Sequence, residues 1–178
     1  MPHAKAAGRT LRLAVILLAV LALAHPAAAQ DLGAPKPGDS AAAPAKVTLS
    51  GGIKIPRALA LADLQAQPAV TVEVTVAAAQ GPRKITYTGA LLWPLLQAAA
   101  PVDAPGRATE HQHVLMARGG DGYAVAVAFG EMDPHLEGKQ VLIAYRMDGN
   151  PLPAPRLVVP GDSHGGRAVH DLAAIEVH

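Results

Sequence analysis

The run Val70-Thr71-Val72-Glu73-Val74-Thr75-Val76 constrains the fold more than any other part of the chain. Valine alternates there with Thr and Glu, and successive residues of a β-strand point to opposite faces. A helix of this composition would scatter its valines around the axis, so a period of two selects a half-buried strand. One face must be covered by other elements while the other meets water. That requirement implies a sheet packed on one side.

Short segments of the same kind surround this strand, punctuated by turn residues. Val47 to Leu49 is extended, Gly51-Gly52 turns it, and Ile53 to Pro56 continues it. Leu61-Ala62-Asp63-Leu64 predicts a single helical turn ended by Pro68, and Gly81-Pro82 leads into a short strand at Lys84–Tyr87. Ala90 to Leu96 predicts a helix closed by Pro101, with Pro94 in the first turn, where its missing N–H costs little. His113–Ala117 and Tyr123–Phe129 form an expected hairpin around Gly119-Gly120-Asp121-Gly122. Val141–Tyr145 and Arg156–Val159 are strands flanking a long turn at Asp148–Pro153, and Leu172–Val177 is the last strand. Many short strands with few short helices define a β-rich α+β domain.

The N-terminal residues carry a different signal. Arg9 and Arg12 precede an apolar run from Leu13 to Ala24, and Ala27-Ala28-Ala29 supplies small residues for cleavage before Gln30. Residues 1–29 therefore read as a secretory signal peptide, with a periplasmic mature protein expected. Residues 30–45, rich in Pro, Gly, Ala and Ser, read as a flexible linker, and residues 46–178 as the domain. Cleavage removes Lys5, Arg9 and Arg12, leaving 12 Lys and Arg against 14 Asp and Glu, about −2 in place of the precursor's +1. Scattered charge near neutrality provides no footprint for nucleic acid. The chain has no cysteine. It thus has no thiol nucleophile, no disulfide and no thiolate ligand for a soft metal.

Chemistry is concentrated in a few segments. Val158-Val159 runs into Pro160-Gly161-Asp162-Ser163-His164-Gly165-Gly166-Arg167, in which glycines allow close backbone approach and Arg167 offers a planar fork. A wide turn between strands is the plainer reading of the same residues. Gly119 to Tyr123 reads as a hairpin turn, and Trp93 as a core residue or a stacking surface. His111 and His113 read as paired surface histidines because no third ligand stands near them. Ser163-His164 is no hydrolase signal, since adjacent strand positions point apart and no G-x-S-x-G elbow occurs. Glu131, Asp133 and Glu137 read as a solvated acidic turn around Pro134.

Taken in order, Leu61-Ala62-Asp63-Leu64, Tyr87-Thr88-Gly89-Ala90-Leu91-Leu92-Trp93-Pro94-Leu95-Leu96, Gly119–Tyr123, Arg156–Asp162, Gly166-Arg167 and Ile175-Glu176-Val177 resemble the oxidoreductase molybdopterin-binding domain family. This is the sulfite-oxidase-type fold, and the chain is similar to its small stand-alone periplasmic members over Lys46 to Val177. The resemblance implies a pocket for a pterin. In the full enzymes the pterin dithiolene holds molybdenum and a protein cysteine adds a sulfur ligand. Ala77 to Gln80 occupies that cysteine's neighbourhood here, with no residue that replaces it.

Three functions stay open on this basis. The first is a metal-free binder of pterin or a molybdopterin-like heterocycle, relaying ligand levels to a membrane signalling or redox protein. In that reading Asp162, Ser163, His164 and Arg167 bind the ring edge or tail, Gly165 and Gly166 allow close approach, and Trp93 or Tyr123 stacks on its face. The second is a molybdenum-dependent oxidoreductase subunit. The third is an interaction module without a ligand.

Overall fold

The computed structural model describes residues 46–103, 105 and 110–178. The signal peptide and linker expected over residues 1–45 lie outside that range. The described chain runs β1 (Lys46–Gly51), β2 (Arg57–Ala60), α1 (Leu61–Gln65), β3 (Ala69–Val76), β4 (Arg83–Leu91), α2 (Leu92–Ala99), β5 (Val114–Gly119), β6 (Ala124–Ala128), α3 (Phe129–Met132), β7 (Leu142–Met147), β8 (Asn150–Val158) and β9 (Leu172–Val177). Two sheets result: five strands in the order β2-β1-β9-β5-β6, and four in the order β3-β4-β7-β8. The second is antiparallel throughout. In the first, β1 lies parallel to β9, so the beginning and end of the domain close on each other.

The main core takes Val47 and Leu49 from β1, Leu115 and Ala117 from β5, and Ile175 and Val177 from β9. Ile143, Tyr145 and Leu157 meet them from the four-stranded sheet, with Leu92, Leu95 and Leu96 of α2 filling the space between. Alternation then sends Leu142, Ala144 and Val158 to the opposite face of that sheet. There they join Val72, Val74 and Tyr87 in a second apolar cluster. The valine alternation has the form expected of a half-buried strand. Val72 and Val74 are buried, while Thr71, Glu73 and Thr75 are exposed. The wet face carries a Thr71–Thr88 hydroxyl contact of 2.8 Å and a Lys84–Glu73 ion pair of 2.7 Å.

Two elements differ from the sequence expectation. Gly89, Ala90 and Leu91 belong to β4 and pair with Ala144, Ile143 and Leu142, so the helix begins at Leu92. A strand end buried on both sides is apolar without a break, which makes it look like helix in sequence. Gly89 is needed there because a Cβ would stand 2.3 Å from the Ile143 carbonyl oxygen. The long turn expected at Asp148–Pro153 is a two-residue hairpin, Asp148-Gly149, with φ of 50° and 78°. These signs match a type I′ turn. β8 carries Pro151, Pro153 and Pro155, a density tolerated because β8 is an edge strand.

Candidate functional site

The alternation that builds the four-stranded sheet also builds a cleft on its second face. Val74 and Val76 of β3, Ile85 and Tyr87 of β4, and Arg156 and Val158 of β8 form its floor. Val74 faces Ile85 and Val72 faces Tyr87 across the strand pair, which keeps these side chains on one surface. The wall comes from the chain after β8. Leu157 N–H donates to the Val169 carbonyl at 3.0 Å, and both side chains enter the main core. Their neighbours Arg156, Val158, Ala168 and His170 therefore turn the other way, into the cleft. Ala77, Asp162 and Gly165 complete a cavity of about 260 Å³. A second, outer lobe of about 490 Å³ shares Val74, Ala77 and Asp162 and adds Thr75, Gly161 and Ser163.

The polar groups of the cleft centre on Arg156, which is half-buried. Its Nη1 donates to the Tyr87 hydroxyl at 3.0 Å, its Nη2 donates to His170 Nδ1 at 2.6 Å, and its guanidinium lies 5.7 Å from the centre of the Tyr87 ring. Among the described residues no carboxylate pairs with Arg156. A guanidinium has only N–H donors, so His170 Nδ1 must accept, and the imidazole is neutral with its proton on Nε2. Burial holds the His170 pKa below its ordinary value and the charge of Arg156 adds to this; Asp171 and Asp121 pull the other way.

Arg167 sits in a contrasting setting. Its Nε and Nη2 donate to the two oxygens of Asp162 at 2.9 and 2.7 Å, and its Nη1 reaches both oxygens of Glu131 at 2.9 and 3.1 Å. Lys139 donates to Glu131 at 2.7 Å and pairs with Glu137 at 3.1 Å. Burial works against ionisation of Glu131. Hydrogen bonds from Arg167, Lys139 and the Ala128 N–H outweigh it and bring the pKa down to about 2. The acidic turn expected to be solvated is thus partly internal: Glu131 is 16% exposed at its side chain, Asp133 is buried, and Glu137 alone is open to water. This ion cluster bolts the segment after β8 onto α3.

The residues expected to bind a ligand separate in space. Asp162 and Gly165 line the inner cleft, and Asp162 and Ser163 the outer lobe. The Ser163 carbonyl also accepts from Ala77 N–H at 3.0 Å, which joins the wall to the end of β3. His164 is exposed, and Arg167 is engaged by Asp162 and Glu131. The Gly166 carbonyl accepts a hydrogen bond from the exposed Tyr123 hydroxyl. Trp93 packs edge-on against Phe129 at 5.0 Å and does not line the cleft. His111 and His113 are not paired surface residues. His111 is exposed, while His113 is buried, 3.5 Å from Asp103 and 3.2 Å from the His178 carbonyl.

The structure adds Tyr87, Arg156 and His170 to the cleft lining, and none of them stood among the candidate residues of the sequence. A signal existed: Arg156 is a lone charge at the head of the apolar run Leu157-Val158-Val159.

The groups present suit one part of a molybdopterin-type ligand and not the other. An apolar floor with a guanidinium, a phenol and an imidazole on one side can seat a flat heterocycle bearing an anionic tail. A metal finds no comparable set. Ala77, which lines both lobes, has no donor atom, and among the described residues no three His, Asp or Glu side chains gather as ligands.

No curated protein matches this chain. In fold it is similar to the sulfane dehydrogenase SoxCD from Paracoccus pantotrophus, with a TM-score of 0.60 and 22% identity. The match covers 75% of this chain and 38% of that one, so the likeness spans well under half of the larger protein. The family model of the oxidoreductase molybdopterin-binding domain matches residues 35–178. Two packed β-sheets, short helices and a cleft behind the valine strand are thus the sulfite-oxidase-type fold, and the chain belongs to the oxidoreductase molybdopterin-binding domain family.

Proposed function

We propose that this chain is a periplasmic binding protein for a pterin or molybdopterin-like ligand without molybdenum, and that it acts as a sensor or carrier rather than a catalyst. The observation that carries this reading is Arg156, a cation on an apolar cleft floor whose partners are a phenol, an imidazole and the Met147 thioether, all neutral. A guanidinium kept without a carboxylate leaves N–H capacity for an incoming anion. The face of a bicyclic ring fits Val74, Val76, Ile85 and Val158, and its tail reaches Arg156 and Tyr87. Asp162 and the backbone of Gly165 meet the ring edge. A cavity of about 260 Å³ lies just below the range of ligand sites, roughly 300–1,000 Å³, and suits one small heterocycle.

When bound, a molybdopterin-type group brings its own dithiolene sulfur. The chain adds no thiolate to it, because there is no cysteine anywhere in the sequence. That is the reason for preferring binding over turnover, since molybdenum in this family relies on soft sulfur ligands. Bound ligand would be read by a membrane signalling or redox protein that recognises the loaded cleft.

Native mass spectrometry of the protein purified gently from its own host tests this. The expected result is an added mass in the range of a simple pterin, without molybdenum, that is lost in Arg156→Ala. A bare polypeptide mass that added pterins leave unchanged would overturn it, and stoichiometric molybdenum would return the chain to catalysis.

A further inference from the structure

We propose that His170 is a proton-operated second cation of the cleft, so that an anion docking on Arg156 is bound together with one proton. The inference rests on the reading of the cleft as an anion-accepting site, and adds to it a way of regulating that site.

The geometry carries the argument. His170 Nδ1 stands 2.6 Å from Arg156 Nη2, a contact that exists only while the imidazole is neutral. Protonation converts the acceptor to a donor and sets two cations side by side, so the contact must break. The charged groups around His170 decide whether another partner takes over. Arg156 approaches from β8, Asp171 follows in the chain, and Asp121 approaches from the turn between β5 and β6, where its carboxylate accepts from Tyr123 N–H at 2.9 Å. Asp162, across the cleft, is held on both oxygens by Arg167. Among the described residues no carboxylate is hydrogen-bonded to the Arg156–His170 pair. An anion between them would accept from both and cancel their repulsion, which favours the protonated imidazole.

The side chain is placed to respond. His170 lies at the cleft rim and is exposed, so the imidazole exchanges protons with solvent and can turn without disturbing the core. Linkage is reciprocal: if protonation tightens anion binding, the anion raises the His170 pKa by the same factor. Partial burial and the charge of Arg156 hold that pKa low. Anion affinity therefore falls as pH rises through the imidazole range. The cleft loads its ligand under mild acid and releases it toward neutrality.

Inorganic sulfate is the probe, because its charge stays fixed across the imidazole range. Its affinity for the purified chain is measured by calorimetry at constant ionic strength between about pH 5 and about pH 8. The His170 ring is followed in parallel by NMR. The expected outcome is affinity about tenfold higher at the acid end, with the His170 titration moved upward by sulfate. His170→Gln should bind weakly with a flat pH profile. His170→Lys should bind tightly with a flat profile over the same range.

A flat profile in the wild type, with sulfate bound and lost in Arg156→Ala, overturns the proton coupling alone and leaves the anion site standing. A pH dependence that survives in His170→Gln also overturns it and assigns the proton elsewhere. Absence of sulfate binding at every pH overturns the anion-site reading itself.

Discussion

Arg156 and Arg167 flank the same cleft and live in opposite surroundings. Arg167 spends its fork on Asp162 and Glu131, with Lys139 adding a second cation to the cluster. Arg156 has a phenol, an imidazole and a thioether for partners and lies over an aromatic ring. A guanidinium saturated by carboxylates holds structure together, because the anion it would bind is already in place. One that is partly desolvated and left with neutral acceptors keeps its binding capacity in reserve. Under the proposed function the glycine-rich loop that dominates the sequence supplies the frame, and the strand before it supplies the recognition.

The largest expected effect tests this division directly. Arg156→Ala should weaken anion or pterin binding about 100-fold, the scale of losing a charge-assisted contact in a partly desolvated site. Its melting temperature should stay close to wild type, since the variant loses only neutral partners. Titration calorimetry beside a thermal melt reads both. If Arg156→Ala unfolds the domain while Arg167→Ala abolishes binding in a stable one, the roles are reversed.

Arg167 and Glu131 should show their effect in stability. Glu131→Gln removes a charge that takes hydrogen bonds from two cations, and a cost of about 2 kcal/mol is expected, read by urea denaturation. Its acid dependence has a definite sign. The folded pKa of Glu131, about 2, lies below the ordinary 4.5, so the folded state binds the proton more weakly. This stabilisation is complete above about pH 4.5 and is lost as pH falls toward about 2. The difference sets a ceiling of about 3 kcal/mol, and solvent reaching a cluster at the surface reduces it to about 2. Glu131→Gln should therefore flatten the acid limb of the wild-type stability curve. An unchanged acid limb would place the clasp among surface ion pairs of little energy.

These contrasts explain what could be read in the sequence. The period of Val70–Val76 is local, so strand, buried face and packing side were all legible. Leu172–Val177 was legible for the same reason. Elements failed where neighbours decide them. Ala90 and Leu91 look helical until Ile143 and Leu142 pair with them, and the proline-rich start of β8 looks like turn until its edge position is known. The side-chain partners around the cleft were hidden in the same way. Arg167 meets Glu131 across 36 positions and Arg156 meets Tyr87 across 69, and composition reveals neither pairing. A glycine-rich loop with Asp, Ser, His and Arg attracts attention because all its groups are adjacent in sequence. Which of them are free is a property of the fold.

The smallest effect sharpens the comparison at the loop's other anchor. Tyr123 is exposed, and its hydroxyl donates to the carbonyl of Gly166, one residue before Arg167. If the clasp alone fixes the wall, Tyr123→Phe removes one hydrogen bond of an exposed group and costs under about 0.5 kcal/mol, with pterin affinity within about twofold of wild type. Tyr123→Ala separates this from stacking. A ring lying on the ligand contributes about 0.5–1.5 kcal/mol beyond its area, and its loss would weaken binding by about tenfold. Tyr123 is absent from the residues lining the cleft, so Tyr123→Ala and Tyr123→Phe should match in affinity. A tenfold gap between them would instead mean that the wall swings when ligand binds and carries Tyr123 over it. Recognition would then no longer belong to the strands alone.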